Sequence, residues 1–201
     1  MTSFAPITKM QLVAFTHTVQ FAVQIRQALS KFIITIDVVS DRITVRVQPQ
    51  YLRPLAIYFR NKNIIRAAAL IDIAAVDKLN SKQRFTINYI FNSSYFSQRL
   101  VIELFASETA IIPSLSNPIF LGYRIFASAG WLEREVWDLF GLYFEDNADL
   151  RRILTDYGFG SYPLRKDFPL TGFHEVFYDD VTGRVVSSDA ELPQEFRTLN
   201  I

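Results

Sequence analysis

The stretch "RFTINYIFNSSYFSQRLVIELFA", residues 84–106, decides the fold. Its two runs, 84–92 and 98–106, are dense in Ile, Val, Phe and Tyr, which suit a pleated, half-buried surface. Between them "SSYFS" is a short link consistent with a hairpin. Upstream, "KFIITIDVVSDRITVRVQP" (31–49) repeats the arrangement, with Ser40-Asp41 between two β-rich runs. In the second of these, Ile43, Val45 and Val47 alternate with Thr44, Arg46 and Gln48, giving one buried and one wet face. Pro49, with no N–H for a ladder, ends it. A further strand-like run covers about 66–76. Helical spacing appears in 17–30, through Val19, Ala22, Val23, Ile25 and Leu29. It appears again in 50–62, where Pro54 stands near the first turn and Leu55, Tyr58 and Phe59 form the apolar stripe. Mostly antiparallel strands with helices packed on one side make an α+β domain.

At 201 residues the chain holds one core plus an extension. Half its residues are hydrophobic and the mean hydropathy is +0.14, so part of the apolar area is expected to face a partner. A formal charge of +1 leaves no basic footprint for nucleic acid. Cysteine is absent, which excludes disulfides, thiolate zinc sites and all-cysteine iron–sulfur clusters. The two imidazoles, His17 and His174, stand far apart in the sequence and read as structural or solvated. No run reaches the roughly 18–20 apolar residues of a spanning helix, since "FIITIDVV" and "AAALIDIAAV" are each broken by an aspartate. The first 36 residues lack Asp and Glu and have the amphipathic look of a transit peptide, but their few arginines place the segment in the fold.

From "PSLSNPIFLGYRIFASAG" onward the pattern turns helical and leads into "WLEREVWDLFGLYF", residues 131–144. On a helix, Leu132, Val136, Leu139 and Phe140 make one apolar stripe, with Arg134 and Asp138 on the opposite side and Glu133 and Glu135 at its edges. Carboxylates working as an acid–base pair must converge on one substrate, and these are spread around the cylinder. The expectation is a charged surface helix that ends at Gly141, with Trp131 and Trp137 beside Arg134 as anchors for a docking partner.

Residues 1–144 form the domain and 145–201 an extended segment. That segment carries prolines and glycines without periodicity, yet is too aromatic for disorder: Tyr157, Phe159, Tyr162, Phe168, Phe173, Phe177 and Tyr178 lie along it. It is expected to be ordered on another subunit. Arg151-Arg152 and the Arg165, Lys166, Asp167 group could hold an anion, but no glycine-rich phosphate loop accompanies them, so solvated turns or intersubunit ion pairs fit better. No nucleophile or metal signature appears.

"EREVWDLFGLYFEDNADLRRILTDYGFGSYPLRKDFPLTG", residues 133–172, closely resembles the signature region of the 30 kDa subunit of respiratory complex I, the proton-pumping NADH:ubiquinone oxidoreductase, in its mitochondrially encoded subunit 9 type. "HEVFYDDVTGRVV" and "PQEFR" match the tail of that family, while the first 120 residues agree only in the order of elements. The resemblance implies an α+β domain whose C-terminal segment lies along the 49 kDa quinone-site subunit, among other peripheral-arm subunits. It implies a non-catalytic chain that binds no flavin, iron–sulfur cluster or nicotinamide, within a complex that uses FMN, iron–sulfur clusters, NADH and ubiquinone. Contact with the membrane would come only through that complex. The expected interface residues are Trp131, Glu133, Arg134, Glu135, Trp137, Asp138, Arg151, Arg152, Tyr157, Phe159, Arg165, Lys166, Asp167 and Phe168. The expected place is the matrix side of the mitochondrial inner membrane, which fits the Met1 start, or the cytoplasmic side of a bacterial plasma membrane. The equivalent subunit of a related membrane-bound dehydrogenase or hydrogenase is the alternative. Two positions depart from the family's pattern: Asn147 and Tyr162 stand where histidines are usual.

Overall fold

The computed structural model describes residues 9–39, 42–63, 65–95, 98–116 and 125–191, with side-chain surroundings from residue 18 onward. The chain runs α1 (Lys9–Leu29), β1 (Ile33–Val39), β2 (Arg42–Val47), a 3-10 turn at Pro49–Tyr51, α2 (Leu52–Asn61), β3 (Ala69–Asp77), β4 (Phe85–Ser93), β5 (Gln98–Ala106), β6 (Ile111–Pro113), α3 (Ala129–Phe140), β7 (Tyr143–Glu145), β8 (His174–Asp179) and β9 (Arg184–Asp189).

The stretch at 84–106 supplies the centre of a five-stranded sheet in the order β1-β2-β5-β4-β3. β4 and β5 pair antiparallel, with Tyr89 opposite Ile102 and Phe91 opposite Leu100. β1–β2 and β3–β4 are antiparallel as well, but β2 and β5 run parallel. The chain leaves β2 through α2 and returns by the β3–β4 hairpin, so β5 enters the sheet in the direction of β2.

The alternation read in 42–47 holds: Ile43, Val45 and Val47 are buried. They join Leu100, Ile102 and Leu104 of β5 and Phe85, Ile87, Tyr89 and Phe91 of β4 in one core with Leu52, Leu55 and Phe59 of α2. Each such side chain contributes about 1.5–3 kcal/mol on burial. On the other face Arg46 bridges Asp37 at 3.0 Å and also pairs with Glu103.

β6 and β7 pair parallel, Ile112 beside Phe144, with α3 as the crossover between them. This unit fixes the helix at both ends. Among the described residues no helix is long and apolar enough to cross a membrane.

Two expectations change. α1 begins at Lys9 rather than near residue 17, and the side chain of His17 lies outside the described residues. Beyond residue 145 the chain is not wholly irregular, because β8 and β9 form a separate hairpin, Phe177 opposite Val186. That pairing is hard to read from sequence because its apolar residues stand in two short blocks, 176–178 and 185–186, without period-2 alternation. The expected turn at Ser40-Asp41, the Phe96-Ser97 part of the central link, 117–124 and the "PQEFR" segment lie outside the described residues.

Candidate functional site

α3 carries the charged cluster, and its surroundings overturn the expected solvated face. Glu133 and Asp138 are both 0% exposed. They lie on different sides of the helix, and each is covered by a different part of the same chain.

Glu133 points to the segments that follow β6 and β7. Its Oε1 accepts from the Leu115 N–H at 2.7 Å, and its Oε2 accepts from Ser114 Oγ at 2.6 Å, Asn147 Nδ2 at 2.7 Å and Ser116 Oγ at 3.3 Å. Burial pushes this carboxyl above its ordinary range, and those donors oppose the rise. On α2, Arg53 ties the same corner together, donating to the Ser114 carbonyl at 2.8 Å and pairing with Asp146 at 2.9 Å.

Asp138 gathers the segment after residue 150. Its Oδ2 accepts the backbone N–H groups of Ile153, Leu154 and Thr155 at 3.2, 2.7 and 2.9 Å. Its Oδ1 accepts the Thr155 hydroxyl at 2.6 Å and Arg152 Nη1 at 3.2 Å. Burial pushes the Asp138 carboxyl up, but the Thr155 hydroxyl and the three N–H groups outweigh it and hold the pKa down to about 2. Being more acidic in the folded chain than its ordinary 3.8, the group contributes about 2 kcal/mol of stability above pH ~4. That stability is lost as the pH falls through about 2. Urea unfolding between pH 7 and pH 2 is therefore expected to show a larger loss for the native chain than for Asp138→Asn, which cannot titrate.

A second fastening lies at the end of the sheet. Arg84 holds Asp77 in a bidentate pair at 2.8 Å and reaches Asp167 at 3.0 Å, while the Lys166 N–H donates to Asp77 at 2.9 Å. Arg84 keeps the Asp77 carboxyl below the usual carboxylate range, against the burial that raises it. Arg165 donates to the Phe140 carbonyl at 2.6 Å and pairs with Glu108. The segment 150–168 is thus fastened at Asp138 and again at Asp77 and Arg84. Between the two points the loop projects Leu154, Tyr157 and Leu164 into solvent.

The matching region is wider than this corner. The family model for the respiratory-chain NADH dehydrogenase 30 kDa subunit matches residues 45–174. The chain belongs to that family. NADH-ubiquinone oxidoreductase subunit 9 of Reclinomonas americana is 41% identical over 90% of this chain and 85% of that protein. The NADH dehydrogenase (ubiquinone) iron-sulfur protein 3 of Oryza sativa subsp. japonica is 47% identical over 73% of this chain and 74% of that protein. Among solved structures, a chain of the membrane-bound sulfane sulfur reductase, an archaeal respiratory membrane complex, superposes with a TM-score of 0.63 at 23% identity, covering 76% of this chain and 85% of that one. That likeness concerns the fold alone.

In this 30 kDa-family chain the residues singled out from sequence fall into separate environments. Asp138 and Arg152 meet at the first fastening, and Arg165, the backbone of Lys166 and Asp167 at the second. Trp137 packs edge-on to Tyr143 and Tyr162 at 6.2 and 6.0 Å, and Phe159 and Phe168 face each other at 5.9 Å. Arg134 donates to the Arg151 carbonyl at 3.1 Å and lies over Trp131, which is exposed. Glu135 is exposed, Arg151 pairs with Asp149 at 3.1 Å and Tyr157 is fully exposed.

Asn147 and Tyr162 each have a structural use. Asn147 gives Glu133 a neutral donor. Tyr162 lies between the Arg152 and Arg165 guanidiniums at 5.0 and 4.5 Å, where the negative face of a phenol ring is favourable and a protonated imidazole would be repelled. Sequence reasoning missed Asp77, Arg84, Glu108 and Thr155. Asp77 and Arg84 carried a usable signal, opposite charges at the two ends of the turn between β3 and β4; Glu108 carried none. Among the described residues no cluster of three His, Asp or Glu side chains could hold a metal ion.

Proposed function

We propose that the chain is a core structural subunit of the peripheral arm of the proton-pumping NADH:ubiquinone oxidoreductase, supporting the quinone-reducing module by binding the 49 kDa subunit. The observation that carries this reading is the family match across most of the chain, joined to a loop that is fastened from within and presents Leu154 and Tyr157 outward. The buried carboxylates of α3, Glu133 and Asp138, are taken up by donors of the same chain, which supports a scaffold without catalytic residues of its own. FMN, the iron–sulfur clusters, NADH and ubiquinone are then handled by other subunits of the complex. Its place is the matrix side of the mitochondrial inner membrane, reached through the complex. Among the expected interface residues, Trp131, Glu135, Arg151, Tyr157, Lys166 and Asp167 are exposed and suited to touch the partner, while Glu133, Asp138, Arg152 and Arg165 shape the surface from beneath.

A photo-crosslinking residue in place of Tyr157, in the assembled complex, tests the contact. The expected adduct joins this chain to the 49 kDa subunit. An adduct only to other subunits, or none under conditions where an exposed control position reacts, contradicts it.

A further inference from the structure

The five-stranded sheet has two edges, β1 and β3, and the chain treats them differently. At β3, α3 packs against the strand, the Ser128 hydroxyl donates to the Leu70 carbonyl at 3.0 Å, and the Lys166 N–H reaches Asp77 at its end. At β1, no strand among the described residues pairs with the outer side. A groove of about 350 Å³ runs there instead, lined by residues 33–37 of β1 with Arg26 and Ser30 of α1, and by nothing from β2. Successive side chains of a strand point to opposite faces, so a groove that touches five consecutive residues follows the backbone edge and not a face. Such an edge is a row of N–H and C=O groups that proteins commonly blunt with lysine, proline, a bulge or a very short strand. β1 is seven residues long and contains neither Lys nor Pro, and its one charge, Asp37, is held by Arg46 at 3.0 Å. Its irregularity lies at the start, where Ile34 is unpaired and 58% exposed. Residues 35–39 then keep unbroken register with 46–42, about 17 Å of regular edge.

We infer that the outer edge of β1 takes an extended segment of a partner polypeptide as an added strand, with a carboxylate of that segment on Arg26. The backbone edge selects the class of occupant, because an extended peptide meets alternating N–H and C=O groups at the spacing of a strand. Charge selects its side chains. Arg26 is exposed on the rim of the groove and forms no ion pair among the described residues, and the first 36 residues hold no Asp or Glu that could answer it. Burial sets the remaining requirement: Ile36 and Val38 pack against the core but stay half-buried, so apolar residues of the added strand beside them would complete the cover under α1. This edge lies four strand spacings from β3, about 19 Å, and so is a surface separate from the α3 corner. It gives the scaffold a second attachment, and rests on the scaffold reading only for the assembly in which it is tested.

The test uses the full chain in its assembled complex, with a photo-crosslinking residue in place of Ile34. The expected adduct joins it to one segment of another subunit that carries Asp or Glu within two residues of the linked position. Arg26→Glu is expected to lower the yield of that adduct at least tenfold, and Lys in place of the partner's carboxylate to restore it. An adduct between two copies of this chain overturns the inference in favour of self-pairing, and an adduct indifferent to Arg26→Glu overturns it as well. No adduct from position 34, where the same probe at Tyr157 reacts, overturns it and leaves the scaffold reading intact; failure of the native chain to enter the complex overturns the scaffold reading instead. Hydrogen exchange needs no variant: the amides of 35–39 are expected to exchange at least tenfold more slowly in the native complex than in the free chain, and equal rates overturn the inference.

Discussion

Asp138→Ala is expected to destabilise the chain by about 3–5 kcal/mol, the range seen when one partner of a buried charged pair is removed. The substitution leaves the N–H groups of Ile153, Leu154 and Thr155 without their acceptor, together with the Thr155 hydroxyl and one contact of Arg152. A buried donor without an acceptor costs about 1–3 kcal/mol, so the loss exceeds that of an ordinary surface ion pair several-fold. Against a total stability of about 5–15 kcal/mol for a domain, little margin remains. The damage falls on the loop that carries Leu154 and Tyr157, and the abundance of the complex is expected to fall with it. Asp138→Asn keeps an acceptor oxygen and should lose roughly half as much. Urea unfolding of the three chains checks this, and a loss below about 1 kcal/mol for the alanine variant would show that the Asp138 nest does not hold the loop.

Gly141→Ala is the second large effect, expected at about 3 kcal/mol. Gly141 ends α3 with φ +76°, and its N–H bonds the Trp137 carbonyl at 2.9 Å. A side chain there meets the left-handed penalty of about 1–2 kcal/mol. It also meets a wall, because an added Cβ would lie 2.6 Å from the Tyr162 ring and 2.7 Å from Arg165 Nη2. The ring is braced by Trp137, Arg152 and Arg165 and has little room to yield. Gly158→Ala is the matched control. Its φ is also +76°, but nothing lies within 4 Å of the added atom, so it should cost only the backbone share, about 1–2 kcal/mol. Equal losses at the two positions would mean that Tyr162 and Arg165 do not pack against the end of α3.

The core was legible in the sequence where period decides burial. The alternation in 42–47 and the paired runs in 84–106 read directly as strands, and Gly141 read directly as the helix stop. The candidate site was legible only in part, because burial of a charged residue depends on what lies over it. Helical geometry places Asp138 opposite the apolar stripe, and nothing in residues 131–144 says that 151–155 folds back to cover it. The parallel β2–β5 pair was hidden for the same reason, since it depends on the path of α2 and the β3–β4 hairpin. Family resemblance identified the 133–172 motif as important but not what its residues do. The structure shows that Asp138, Arg152, Arg165 and Asp167 fasten the chain to itself. Under the proposed function, contact with the partner falls to exposed residues such as Trp131, Glu135, Leu154 and Tyr157.

The most direct test of the scaffold role is a native gel of gently solubilised source membranes carrying a tagged chain, stained for NADH oxidation and followed by mass spectrometry of the tagged band. The tag is expected to migrate with a very large NADH-oxidising assembly that contains the 49 kDa subunit. Migration of the tag as a free chain of 23.2 kDa, with the NADH-oxidising assembly intact and lacking it, would contradict that role.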